Sequence, residues 1–184
     1  MADGGSVRGP APRRLHIGGE IRSEGWEILN ANAAPEVDHV CNAADLSQFP
    51  AGTFEAIYAS HVLEHFDYKN ELRKALAEWN RVLAPRGKIY VSVPDLDALA
   101  GLLLEKNRLT VDERFQVMRM MFGGHVDQYD YHVVGLNEEF LGYFLAGAGF
   151  VNIQRVAGFG LFEDASTMAL KGIPISLNVL AEKP

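Results

Sequence analysis

The sequence predicts an α/β fold, a mostly parallel seven-stranded sheet with helices on both faces. Three observations point to it. From Leu15 onward, short apolar runs alternate with segments of helical periodicity, the order that parallel sheets produce. The run Phe54 to Ala59 stops abruptly at Ser60-His61 and helical material follows, as a buried parallel strand does where its carboxyl end opens on a crevice. Only seven residues, Gly19 to Gly25, separate the first two runs. An ordinary crossover needs a dozen or more, so the first crossover is shortened.

The elements follow in order. Leu15-His16-Ile17 leads into Gly18-Gly19 as a first strand and glycine turn. Trp26 to Asn30, Val37 to Asn42, Phe54 to Ala59 and Lys88 to Val93 make strands two to five. Between the last two, Leu72, Leu76, Trp79, Val82 and Leu83 share one face of a helix over Tyr68 to Leu83, which Pro85-Arg86-Gly87 stops. Leu96 to Glu105 is helical, and Thr110-Val111-Asp112-Glu113 is a capping box opening a helix through Phe122. Asn137 caps a last helix, Glu138 to Ala146, before the closing strands Phe150 to Val156 and Ile175 to Ala181.

Bulk properties set bounds. A chain of 184 residues, 48% hydrophobic, buries one sizeable core and forms one domain over residues 15–184. Its net charge of -7 argues against a nucleic-acid-binding module, which needs clustered Lys and Arg. One cysteine, Cys41, cannot form an internal disulfide and suits a reducing, cytoplasmic setting. No apolar run approaches the roughly 18 residues of a membrane helix, so no membrane partner is expected. Residues 1–14, rich in Gly, Pro, Ala and Arg, read as a flexible tail.

The polar groups at the strand ends are the candidate ligand contacts. Gly18-Gly19 suits close approach of a ligand to the backbone, or an ordinary tight turn. Asn30, ending the second strand, can bond a ribose diol or simply close a turn. Asp45 can accept from an adenine amino group while Leu46 packs on the ring, or Asp45 can cap a turn.

Leu15-His16-Ile17-Gly18-Gly19, Gly25 to Asn30, Ala44-Asp45-Leu46, Ile57 to His65, Arg81 to Gly87 and Val93 to Leu96 stand in a known order. In that order and spacing, the chain resembles the class I S-adenosylmethionine-dependent methyltransferases, in particular a short bacterial type 11-like subgroup. The resemblance runs from Leu15 to the end. It implies a Rossmann-like sheet that binds S-adenosylmethionine at the carboxyl ends of its first four strands. Gly18 and Gly19 would face the methionine part, Asn30 the ribose, Asp45 and Leu46 the adenine, and Ser60 and His61 the sulfonium side. Glu20 stands where the family has glycine, and Asn30 where it usually has an acid.

His61-x-x-Glu64-His65 is a rival signal. On a helix, His61 and His65 would sit one turn apart and both face a zinc ion, with Glu64 activating water and Glu138 or Glu139 offering a third ligand. The bland alternative is two histidines serving helix start and packing. The loop His125 to His132 gathers acidic, aromatic and imidazole groups suited to positioning a substrate and taking its proton, or to packing at a sheet edge.

The expectation is therefore a methyltransferase acting on an unidentified small-molecule or saccharide acceptor. His65 or His132 would take a proton, Tyr129 would line the site, and residues 96–122 would form a helical cover. The alternatives are a non-catalytic relative that keeps the sheet, and a zinc hydrolase.

Overall fold

A computed structural model describes residues 13–126 and 128–184. Five strands come first: β1 (Arg13–Ile17), β2 (Glu27–Asn30), β3 (His39–Val40), β4 (Phe54–Ser60) and, after helix α1 (Glu71–Val82), β5 (Leu83–Pro94). Helices α2 (Leu96–Leu104), α3 (Val111–Phe122) and α4 (Glu138–Gly147) lead to β6 (Val151–Val156). A short hairpin, β7 (Ala169–Leu170) and β8 (Ile173–Pro174), precedes the last strand, β9 (Ser176–Glu182).

The sheet has seven strands in the order β3-β2-β1-β4-β5-β9-β6. Neighbours from β3 to β5 pair in parallel, and β9 runs antiparallel to both β5 and β6. The chain steps outward from β1 in one direction and from β4 in the other. That places the topological switch point between β1 and β4, where open α/β sheets form their ligand crevice.

Alternation along the strands sorts side chains to two faces. Leu15, Ile17, Ile57, Ala59, Ile89, Val91, Leu177 and Val179 share one buried core with Leu72, Leu76 and Trp79 of α1 and Leu141 and Leu145 of α4. On the other face, the rings of His16 and Tyr58 pack against Phe162, and Tyr90 against Phe159. Helices α2 and α3 build a second, smaller core of Leu99, Leu102, Leu109 and Val117 with Ile175.

Several boundaries differ from the sequence reading, each for a visible reason. β1 begins at Arg13, inside the expected tail, because Arg13 pairs with Glu27 at 2.6 Å and Arg14 with Glu55 at 2.5 Å. The rest of that tail, residues 1–12, lies outside the described residues. β3 keeps only two paired residues of the six expected, its Val40 being exposed on the outermost strand. Among the described residues no helix stands between β1 and β2, which is the shortened crossover. The hairpin β7–β8 has no counterpart in the sequence reading. Both capping expectations hold: Thr110 and Glu113 bond reciprocally, and the Asn137 side chain accepts from Phe140 N.

Candidate active site

The carboxyl ends of β3, β2, β1 and β4 lie side by side on one edge of the sheet. Gly18 leaves β1 with φ of 75°, in the left-handed region, and its N–H donates to Leu29 O at 2.7 Å. A Cβ on Gly18 would lie 2.7 Å from Val62 Cγ2, so the turn after β1 and the loop after β4 meet at the switch point. Gly19 is backed by the His16 ring, 2.7 Å from where its Cβ would be. His16 is buried, and burial holds its pKa down to about 4.

The second group of site residues follows β4. His61 adopts φ of 55°, its N–H bonds Ser92 O, and its ring Nε2 meets Ser176 Oγ at 2.9 Å. The α-helix that a zinc-hydrolase reading requires is not formed: His61 is left-handed, and only Leu63–His65 make a single 3-10 turn. Glu138, one candidate third ligand for that reading, lies at 3.4 Å from Arg155 instead.

What the turn does present is Glu64. Its side chain is 2% exposed and neither carboxylate oxygen has a hydrogen-bond partner among the described residues; burial pushes its pKa up to about 8. Oε1 lies 3.5 Å from His61 Nδ1 and 3.9 Å from His132 Nε2. The rings of His65 and His132 meet edge-on with centroids 4.9 Å apart. His65 Nδ1 faces the Tyr131 carbonyl at 3.1 Å. A carbonyl only accepts, so Nδ1 carries the hydrogen and Nε2 keeps a bare lone pair. Burial, and then the neighbouring His65, lower the pKa of His132, and burial first of all brings His61 down to about 4.

The loop after α3 delivers His132 to this place by backbone bonds. His132 N donates to Phe122 O, while Val133 N and Val134 N donate to the carbonyl of Glu64 at 2.8 and 3.3 Å. Asp130 steadies the loop: its carbonyl accepts from His125 N and its carboxylate from Val126 N. Tyr129 is on the same loop and half exposed. The structure thus brings His61, His65 and His132 together, as two distant motifs in the sequence.

The sequence reading missed two contributors. Ser176, at the start of β9, orients His61. Asp95, buried at the end of β5, accepts from the N–H groups of Asp97 and Ala98 to cap α2 and pairs with Arg155 at 2.7 Å. A capping acid just before the apolar run Leu96 to Leu104 was a usable signal for Asp95. Nothing local marks Ser176.

Residues 14–91, the stretch from β1 through most of β5, match the family described as methyltransferase domain. Across 94% of this chain and 87% of its own, an S-adenosylmethionine-dependent methyltransferase from Archaeoglobus fulgidus superposes with a TM-score of 0.59 at 15% identity. The fold is that of the S-adenosylmethionine-dependent methyltransferases. The CurJ carbon methyltransferase (TM-score 0.55, 16% identity) shares it over 96% of this chain, and human N-acetylserotonin methyltransferase in complex with S-adenosylmethionine (0.53, 16%) over 94%. The chain spans 50% of the CurJ structure and 47% of the human one. No curated protein matches it by sequence.

The polar atoms at the strand tips of this methyltransferase fold suit an adenosyl group at one end more than at the other. Asp45 is exposed, and hydrogen bonding to Ser47 holds its carboxyl below the ordinary range, so it stays a charged acceptor. Ser60 Oγ is buried without a hydrogen-bond partner among the described residues. The Asn30 side chain is already engaged, donating to Gly19 O at 3.2 Å and accepting from Asn32 N at 3.0 Å. Leu46 is fully buried in the core beneath Asp45 and offers no exposed face. Among the described residues no helix is long and apolar enough to cross a membrane.

Proposed function

We propose that this chain is an S-adenosylmethionine-dependent methyltransferase acting on a small-molecule or saccharide acceptor. The observation that carries the reading is the row of tips at the switch point, Gly18, Asn30, Asp45 and Ser60-His61, beside the cluster of Glu64, His65 and His132. The match of residues 14–91 to a methyltransferase domain covers all four of these tips.

When bound, the cofactor supplies an electrophilic methyl group on sulfur. The residues of this chain then hold, orient and deprotonate. Asp45 receives the adenine end as a hydrogen-bond acceptor. Gly18 lets the backbone of the β1 turn come close to the methionine part, with Val62 walling the turn from the β4 side. Asn30, at the ribose position, braces the turn through Gly19 O. On the acceptor side, His132, its pKa lowered by burial, can take a proton as the acceptor atom gains its methyl group, with the His65 ring beside it. Helices α2 and α3 cover that side, since the loop carrying His132 leaves the end of α3.

The negative net charge supports a small acceptor over a polyanionic one, and the single cysteine supports a cytoplasmic setting. One observation favours a second reading, a non-catalytic relative: the Asn30 amide is spent within its own loop. Thermal melting with S-adenosylmethionine and S-adenosylhomocysteine separates the two. The enzyme reading expects a raised melting temperature with both ligands, and no shift with either at millimolar concentration overturns it.

A further inference from the structure

Glu64 is an anomaly for a protein interior. A carboxylate that is 2% exposed normally has hydrogen-bond donors or a counter-ion, because burying it bare is costly. Here both oxygens lack a hydrogen-bond partner among the described residues, although the 3-10 turn that holds them is itself bonded. Two imidazoles point at the same space. Donor atoms of Glu64, His65 and His132 all lie within 4.8 Å of one another.

We propose that Glu64, His65 and His132 bind a divalent transition-metal ion. The donor set, two imidazoles and one carboxylate, suits Zn2+ or Co2+ and disfavours Mg2+, which prefers all-oxygen octahedra. The surroundings are those of a ligand set already held in place. His65 Nδ1–H donates to the Tyr131 carbonyl, the outer bond that fixes a ligating imidazole and directs Nε2 at the ion. The Glu64 carbonyl accepts from Val133 and Val134, so the backbone beside His132 is fastened to the residue that would share the ion with it. His61 stays outside the set: its Nε2 meets Ser176 Oγ, and its Nδ1, though 3.5 Å from Glu64 Oε1, is not among the donor atoms that converge. This differs from an inverted zinc-peptidase site, in which His61 and His65 would be paired ligands on one helix. Three protein donors leave a coordination position open, which is the arrangement of metal sites that meet a substrate. The site stands on these side chains alone; an ion bound there occupies the nitrogens that the metal-free chain offers as proton acceptors, so the two roles are alternatives.

The test uses the full chain stripped with a chelator and titrated, without S-adenosylmethionine, with Co2+ followed by visible absorption and with Zn2+ followed by calorimetry. One equivalent is expected to bind, with a d–d band showing nitrogen and oxygen ligation. Glu64→Gln and His132→Asn should each weaken binding by at least about tenfold, the least that even an outer-shell loss costs. His39→Ala, whose ring pairs with Glu27 at the far side of the sheet, should leave it unchanged. Glu64→Gln keeps the shape of the side chain and replaces the carboxyl with an uncharged amide, so it is expected to fold. His132→Asn provides the same answer should it not. Absence of stoichiometric binding at micromolar metal, or equal affinity in wild type and both variants, overturns the proposal.

Discussion

His132 Nε2 lies 3.9 Å from Glu64 Oε1, although one residue belongs to the loop after α3 and the other to the turn after β4. This approach joins two parts of the chain into one site. It depends on the loop from Gly123 to Val134, whose course is set by backbone bonds to Phe122 and Glu64. Perturbing that loop should therefore be felt at the histidines.

Gly123 is the place to do it. Its φ is 92°, and a Cβ there would lie 2.3 Å from the Asp130 carbonyl oxygen. Gly123→Ala combines left-handed strain with a backbone clash, a cost of about 1–3 kcal/mol. Urea unfolding should show that loss, and the imidazole NMR signals of His65 and His132 should both move. Unchanged histidine signals would mean the loop does not position His132.

Gly18 gives a separable case at the switch point. Gly18→Ala should cost about 1–2 kcal/mol for the left-handed backbone alone, and more for its contact with Val62. Adding Val62→Ala removes the contact and leaves the strain. The double variant should thus be more stable than the sum of the singles by about 1 kcal/mol. Strict additivity in urea unfolding would place the two residues apart.

The pair Asp95–Arg155 ties the start of α2 to β6. Arg155→Ala strands a carboxylate that is 3% exposed. Because Asp95 keeps two backbone N–H donors and Arg155 is itself half exposed, the loss should be on the order of 2 kcal/mol, below the usual range for breaking a buried pair. Arg155→Lys should recover only part of it, as measured by the denaturation midpoint.

Acid should destabilise the fold through His16. Its folded pKa of about 4 lies below the ordinary histidine value of about 6.5. Between these pH values the unfolded chain binds a proton that the folded chain refuses, so stability falls as pH falls from 6.5 towards 4. From pH 7 to pH 5 the loss assigned to His16 is on the order of 2 kcal/mol. His16→Gln should flatten that part of the profile in urea titrations at a series of pH values. An unaltered slope would contradict the burial argument. Glu27, held down to about 2 first by its bond to Arg13, loses its contribution at still lower pH.

Much of this architecture is legible in the sequence because it is local. The periodicity of Leu72, Leu76 and Trp79 gives α1, the Thr110–Glu113 box gives α3, and the polar stop at Ser60 gives the end of β4. Arg13 and Arg14 were hidden because a strand of charged residues becomes one only when Glu27 and Glu55 arrive from neighbouring strands. The segment His61 to His65 looks helical by spacing, yet the Ser92 and Ser176 contacts of His61 draw it into a left-handed turn. In the sequence Glu64 is only the acid of the His61-x-x-Glu64-His65 spacing, and its burial comes from the loop folded over it. His65 and His132 were each singled out alone. Their convergence is a property of the tertiary fold, set by carbonyl bonds that carry no side-chain signature.

The central claim is that the tips of β1 to β4 accept S-adenosylmethionine, with Asp45 at the adenine end. Isothermal calorimetry of the wild-type chain and Asp45→Ala addresses it directly. Saturable one-to-one binding by the wild type, weakened about tenfold or more in Asp45→Ala, is the predicted result, as for loss of a charge-assisted hydrogen bond. No heat from the wild type at millimolar ligand, or equal affinity in both proteins, would contradict it.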